Sequence, residues 1–188
     1  MTPLDSLYAS GELSLGSRIL LKPIQIWQDF SYRSFAMNCQ FESSCSNYMV
    51  HAIRVKGILP GLVIGTDRIV RCNPAARHYH LQEEYSMIQA DGRLVEPMRV
   101  QPGHAPGRSP YIALGLSVIP GLGRSYAGHV VDGLFSFFFV SGFALNSAMH
   151  VEAGHTFSAS VYGLTAGLFW AADFYGAYRT ARSAVPKQ

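Results

Sequence analysis

The chain has 188 residues, 48% of them hydrophobic and only 14% charged, against about 25% charged in an average soluble domain. A deficit of that size points to a membrane or an unusually buried surface, while a mean hydropathy of +0.12 is too low for a full polytopic transporter and argues against a large soluble enzyme with a deep cleft. Residues 1–108 hold 11 of the 15 Lys and Arg and 9 of the 12 Asp and Glu, so charge drains out near Pro110 and the chain reads as a polar part joined to an apolar part.

Residues 1–16 read as a loose leader. No basic stretch followed by a long apolar run opens the chain, so no cleavable signal is expected. Residues 17–30 place Ile19, Leu20, Pro23, Ile24 and Trp27 at approximate helical spacing. This is either an ordinary core helix or an interfacial amphipathic one, with Trp27 and Phe30 at headgroup depth, and Pro23 either sits in a first turn or breaks the segment. Residues 46–57 predict a clearer helix, capped by Ser46 and stopped by Gly57, with Tyr48, Met49, Ala52 and Ile53 on one face and Arg54 and Lys56 off it. Pro60 opens a second helix, on which Arg68 and Arg71 point the same way. The two helices, joined at Gly57–Leu59, should pack antiparallel or at a steep angle. Residues 75–110 turn polar and then Pro-rich, which reads as a linker with a short extended stretch around Val95, Met98 and Val100.

From Tyr111 the composition is that of a membrane protein. Residues 112–119 are too short to cross and read as a re-entrant or interfacial turn ending at Pro120. Residues 133–151 and 153–172 run 19 and 20 positions without a formal charge. As helices each would span about 28–30 Å, the thickness of a bilayer core. Arg99, Arg108 and Arg124 precede the first span, Arg179, Arg182 and Lys187 follow the second, and the loop between has neither Lys nor Arg, so both termini should be cytoplasmic. Gly163 and Gly167 form a small-xxx-small step that packs the hairpin or drives dimerisation. Asp132 and Asp173 either pair with Arg124 or are hydrated at the interface.

Residues 14–80 are basic: Arg18, Lys22, Arg33, Arg54, Lys56, Arg68, Arg71 and Arg77 stand against Asp29, Glu42 and Asp67. That surplus suits anionic headgroups or nucleic acid, or marks a solvated surface. Asp67 and Arg68 read as a surface pair. Three cysteines, Cys39, Cys45 and Cys72, make an odd number where a secreted disulfide framework prefers an even one, so the first half reads as cytosolic with reduced thiols.

The same stretch resembles the membrane protein insertion efficiency factor (YidD) family, whose pattern is roughly C-R-F-x-P-x-C-S-x-Y, an Ala and a Gly, a second Gly, then R-x-x-R-C-x-P. The matching positions are Cys39, Phe41, Cys45, Ser46, Tyr48, Ala52, Gly57, Gly61, Arg68, Arg71, Cys72 and Pro74. Gln40 stands where the family has arginine, Ser43 where it has proline and Tyr32-Arg33-Ser34 where Ile-Ser-Pro is common, and the Gly-Gly-x-Asp-Pro tail is missing. The apolar half resembles short two-span bacterial modules that open on Pro-Gly-x-Gly, here Pro120 to Gly123, and close on Tyr175-Gly176-Ala177. The resemblance implies an all-α protein: a leader (1–16), a small cytosolic helical domain (17–80), a linker (81–110), a membrane module (111–182) with spans at about 131–150 and 156–175, and a tail (183–188). It also implies an accessory factor, not an enzyme, that assists insertion or folding of inner-membrane proteins. Its partners would be membrane lipids, the insertase and nascent membrane proteins, with no specific nucleic acid. Arg18, Lys22, Arg54, Lys56, Arg68 and Arg71 are the expected lipid- or partner-binding residues.

No cofactor and no metal are expected, and no catalytic residue is assigned. Cys39, Cys45 and Cys72 with His78 or His80 could form a Cys₃His site, but the x5 gap is wider than the usual x2–4 of structural zinc. Structural buried thiols, or a redox pair of Cys39 with Cys45 or Cys72, are the other readings. His51 reads as an ordinary helix-face histidine. The alternative functions are a membrane-bound thiol or metal-dependent enzyme built on the three cysteines, and a purely structural membrane adaptor.

Overall fold

The computed structural model describes residues 11, 15–33, 39–81, 87–96 and 108–183. The expected tail from 184, all of the leader before 15 except Gly11, and Met98 and Val100 lie outside the described residues. The all-α class holds: eight helices are described, with two strands of two residues each.

Helix α1 spans Leu15–Arg33 and runs straight through Pro23, which neither opens nor breaks it. The proline forfeits one backbone hydrogen bond, and packing of Leu21 and Ile24 on α2 and α3 holds the helix at that point. Its inner face carries Leu21 and Gln28, the latter bonded to Asn47 at 3.0 Å. Its outer face carries Ile19, Ile26 and Phe30, spaced 7 and 4 residues apart and all exposed.

Helices α2 (Cys45–Lys56) and α3 (Ile58–Arg71) form an antiparallel pair about Gly57. The cap of α2 is Ser44, not Ser46: the Ser44 hydroxyl accepts from the Asn47 amide, and Ser46 lies inside the first turn. Gly57 sits at φ 88°, which stops α2 as its position predicts. The pair is held close by two glycines of α3. A methyl group on Gly61 would overlap the Ile53 backbone, and one on Gly65 would overlap the Met49 side chain. The matched steps 53–61 and 49–65 are those of an antiparallel hairpin centred on Gly57.

After a short helix α4 (Ala76–His80), β1 (Met87–Ile88) pairs antiparallel with β2 (Leu94–Val95). Phe41 joins Leu94 as a third, parallel bridge, through Glu42 N–H to Leu94 O and Leu94 N–H to Gln40 O, both at 2.9 Å. The segment expected as a linker therefore contributes an ordered hairpin and, next to it, a buried carboxylate, Glu96.

The C-terminal half begins with α5 (Pro110–Leu116), capped by Ser109, and α6 (Leu122–Tyr126). Helices α7 (Val130–Glu152) and α8 (Thr156–Ser183) form a long antiparallel hairpin turned at Gly154. Stacked rings fill it: Phe139 and Phe143 lie 4.8 and 5.4 Å from Phe169, and His150 lies 5.1 Å from Tyr162. Ser147 Oγ donates to Ala159 O at 2.7 Å, and Gly163 backs onto Ser147, whereas Gly167 faces open space. Among the described residues α7 alone is long and apolar enough to cross a membrane. Helix α8, where the second span was expected, is diluted by Ser, Thr and Gly in its first half and by Asp173, Arg179 and Arg182 in its second.

The N-terminal unit packs against this hairpin. Val70 of α3 is fully buried between Val140 and Phe169. Because Gly61 meets rigid backbone and Gly65 meets a flexible methionine, Gly61→Ala should destabilise the full chain by about 1–3 kcal/mol, with Gly65→Ala costing less. Denaturant unfolding of the detergent-solubilised protein, followed by circular dichroism, measures both.

Candidate functional site

Arg68 is one of the two motif arginines, and it is buried. Its guanidinium lies between the rings of Phe41 and Tyr48, 4.1 Å from each centroid. A desolvated cation between two rings gains about 2 kcal/mol or more per strong contact. One edge donates to Ser43 O at 3.2 Å, and Nε lies 3.3 Å from Glu96. Burial, and then the Glu96 charge, push the Tyr48 phenol up to about 12, so its ring stays neutral under the cation.

Three thiols meet beside this sandwich. Cys39 comes from the extended segment before α2, Cys45 is the first residue of α2, and Cys72 follows the last residue of α3. Their sulfurs all lie within 4.8 Å of one another, all are half-buried, and none is in a disulfide. Cys45 and Cys72 hydrogen-bond to Cys39, which outweighs its burial and holds the Cys39 thiol well below its ordinary value; the same bonds, with burial, push Cys45 up. Among the described residues no histidine joins the cluster: His78 is exposed, and His80 hydrogen-bonds Met87 O at 3.0 Å. His51 is exposed on α2.

The second feature is a buried ion network that joins the two halves. Arg124 of α6 donates from Nε to Asp173 at 2.9 Å and from Nη2 to Asp67 at 2.6 Å and Ala172 O at 2.9 Å. All three charged side chains are at most 1% exposed. The flanking glycines explain themselves here. Gly121, at φ 82°, turns its amide onto Asp173 at 2.9 Å, and Gly176 leaves the space that the Arg124 guanidinium fills. Gly123 packs tightly on Ala177, so the Pro-Gly-x-Gly and Tyr-Gly-Ala stretches are two sides of one contact.

Arg71 extends the network. It donates to Asp67 at 2.9 Å and to both oxygens of Glu96 at 3.0 and 2.8 Å, and Arg179 of α8 reaches Glu96 at 2.7 Å. Burial alone would raise the Asp67 and Glu96 carboxyls. Arg71, with Arg124 and Arg179 at Asp67 and with Arg179 and Arg68 at Glu96, holds both below their ordinary values instead. Asp132 takes different partners, Asn73 at 2.5 Å and His129 at 3.0 Å, and is buried rather than hydrated.

These contacts correct the expected basic surface. Arg68 and Arg71 do not belong to it, because carboxylates that the local sequence does not show draw them inward. Asp67 and Arg68 are likewise not a surface pair, each having a separate buried partner. Arg18, Lys22, Arg54 and Lys56 are exposed. Of the remaining motif residues, Ala52 is fully buried, and Pro74 is exposed in the turn before α4. Sequence reasoning missed Glu96 and Arg179, which carry no local signal. The i,i+4 spacing of Asp67 and Arg71 was a signal that could have been used.

An apolar groove of about 520 Å³ opens next to the thiols. Ile24 and Trp27 of α1, Met49 of α2, Ile69 of α3, and Phe135 and Phe139 of α7 line it, with Cys45 and Cys72 at its wall.

Together these features define a small helical unit, built around a stacked arginine and a thiol triangle, that is packed on a long apolar helix. Residues 16–80 match the YidD family, described as "putative membrane protein insertion efficiency factor". A protein of that description from Thermotoga neapolitana is 35% identical over 71 residues, which is 37% of this chain and 90% of the relative. Another from Fervidobacterium nodosum is 36% identical over 63 residues, 34% of this chain and 74% of the relative. The chain belongs to this family. No solved structure matches it.

Removing Arg124 would strand Asp67 and Asp173 without their shared cation. Arg124→Ala should cost about 3–5 kcal/mol, the usual price of breaking a buried pair. Arg18→Ala, at an exposed position, should stay within about 0.5 kcal/mol. Because the Asp67 and Glu96 values are lowered on folding, their stabilisation is complete above their ordinary values of 3.8 and 4.5 and is lost as pH falls below them. Unfolding free energy measured against pH should therefore decline steeply on the acid side of that range, and Glu96→Gln should flatten part of the decline.

Proposed function

We propose that the protein is a membrane-anchored accessory factor that assists the insertion or folding of inner-membrane proteins at the cytoplasmic face, and that it acts by binding rather than by catalysis. Family membership supports the role, and the groove is the observation that carries its mechanism. Phe135 and Phe139 lie in the first three turns of α7, the helix able to cross the bilayer. The groove therefore sits at the level of the leaflet next to the start of α7. An apolar segment leaving water at that face meets a slot of matching polarity before it is surrounded by lipid. We assign the groove to an apolar segment of a client membrane protein.

The rest of the surface suits this placement. Leu134, Phe138, Leu145 and Met149 of α7 are exposed, as are Phe157 and Leu164 of α8, an arrangement that water would penalise and lipid would not. The Ile19–Ile26–Phe30 stripe of α1 would lie in the interface, with Arg18 and Lys22 reaching headgroups. Arg54 and Lys56 extend the cationic surface, each exposed cation near an anionic leaflet adding about 1 kcal/mol. In this reading α8 crosses beside α7, shielding its polar second half against α3 and α6, and both termini are cytoplasmic.

A photocrosslinking residue at Trp27, on the groove, is expected to capture nascent membrane proteins in cells, whereas one at Leu164 on the outer side of α8 should not. Trp27→Glu, which places a charge in the slot at a cost of about 1–3 kcal/mol, should lower client capture at least about fivefold while leaving the fold intact. Adducts to lipid alone at Trp27, with normal reporter insertion by the Trp27→Glu protein, would overturn the reading.

A further inference from the structure

We infer that Cys39, Cys45 and Cys72 form a mononuclear site for a thiolate-binding divalent cation, zinc being the physiological candidate. Three separate pieces of backbone bring the sulfurs together: an extended segment, the start of α2, and the residue after α3. A disulfide would use two of them and leave the third without a role. Zinc–sulfur bonds of 2.3 Å arranged tetrahedrally put sulfurs about 3.8 Å apart. The observed separations, none above 4.8 Å, need a contraction of no more than about 1 Å to reach that geometry.

The surroundings suit a charged sulfur cluster. Cys45 is the first residue of a 12-residue helix, whose backbone dipole would help to stabilise its charge once an ion is bound. Cys39 and Cys72 pack against the cluster of Phe41, Ala76 and Leu94, and the Arg68 cation lies over the Phe41 ring. Binding forms three metal–sulfur bonds and releases to water the protons still held by the thiols. The resulting Zn(S)₃ centre carries one net negative charge, which Arg68 partly offsets. Among the described residues the cluster offers three sulfur ligands, and the fourth position of a tetrahedral site would fall to a donor outside the cluster. Cys45 and Cys72 both line the apolar groove, which is the direction from which such a donor could come. The wide gap between Cys39 and Cys45, unlike a zinc-finger pair, is accommodated because Cys39 lies in extended chain and Cys45 begins a helix.

The test uses the full-length, tag-free chain in detergent, stripped of metal with chelator and kept reduced. Titration with Co²⁺ alone should give a sulfur-to-cobalt charge-transfer band saturating at about one ion per chain, and Zn²⁺ should displace it. Cys39→Ser, Cys45→Ser and Cys72→Ser should each weaken Co²⁺ binding at least about tenfold. Should a serine variant fail to fold, X-ray absorption on the zinc-loaded wild-type chain decides: three sulfurs at about 2.3 Å are expected. Absence of the charge-transfer band, a zinc shell without sulfur, or an intramolecular disulfide in chain isolated from cells under thiol-trapping would each overturn the site. Client capture at Trp27 is measured separately, so loss of one reading leaves the other standing.

Discussion

Arg124 has to be buried for the two halves of this protein to meet. It comes from the five-residue helix α6, accepts no solvent, and divides its donors between Asp67 of the N-terminal unit and Asp173 of α8. A cation with two anions so deeply buried gains little over a well-packed apolar contact, because desolvation consumes most of the Coulomb attraction. What it supplies is register. Only one placement of α3 against the α7–α8 hairpin brings Asp67 to Nη2 while Asp173 holds Nε and the Gly121 amide. Gly121, Gly123 and Gly176 are the small residues that let the three backbones approach closely enough for this.

Fixing that register sets where the N-terminal unit sits along α7. With Val70 seated between Val140 and Phe169, the unit lies alongside the first half of α7 and is not held out on a tether. The groove is lined by α1 and by the first half of α7 together. A soluble unit on a flexible linker would raise local concentration only. A unit held by a buried network presents its groove at a defined position and orientation.

The legible parts of the fold were the local ones. The α2–α3 hairpin followed from helical periodicity and from Gly57, because both signals act within a few residues. The glycine-rich stretch before α7 was visible as a break, though not as a packing surface. The Arg124–Asp173 pair was one of the two readings the sequence allowed for that aspartate, but the rest of the ion network was not legible, and the reason is distance in sequence: Glu96 and Arg179 are 83 residues apart. Arg68 and Arg71, three residues apart on one face, read as part of a basic binding surface because periodicity shows which residues share a face but not what faces them. The thiols were visible as a motif, yet only the tertiary fold shows that the third, 27 positions after the second, closes a triangle.

The last turn and a half of α3 and the residue after it carry most of this organisation. From Asp67 to Cys72, six consecutive residues take six different surroundings: Asp67 the Arg124 cation, Arg68 the two rings, Ile69 the groove, Val70 the hairpin, Arg71 the Glu96 carboxylate, and Cys72 the other thiols. A helical turn cannot shift one of these residues without shifting the others, since its backbone hydrogen bonds fix their relative positions. The groove wall, the thiol triangle and the seat on the hairpin are thus parts of a single rigid piece. Any contraction of the sulfurs around an ion would act on the end of α3, and through Ile69 on the shape of the slot beside α7. The arginines of this motif therefore work, in this chain, as an internal joint that holds the unit on the α7–α8 hairpin, while the cations of α1 and α2 stay exposed.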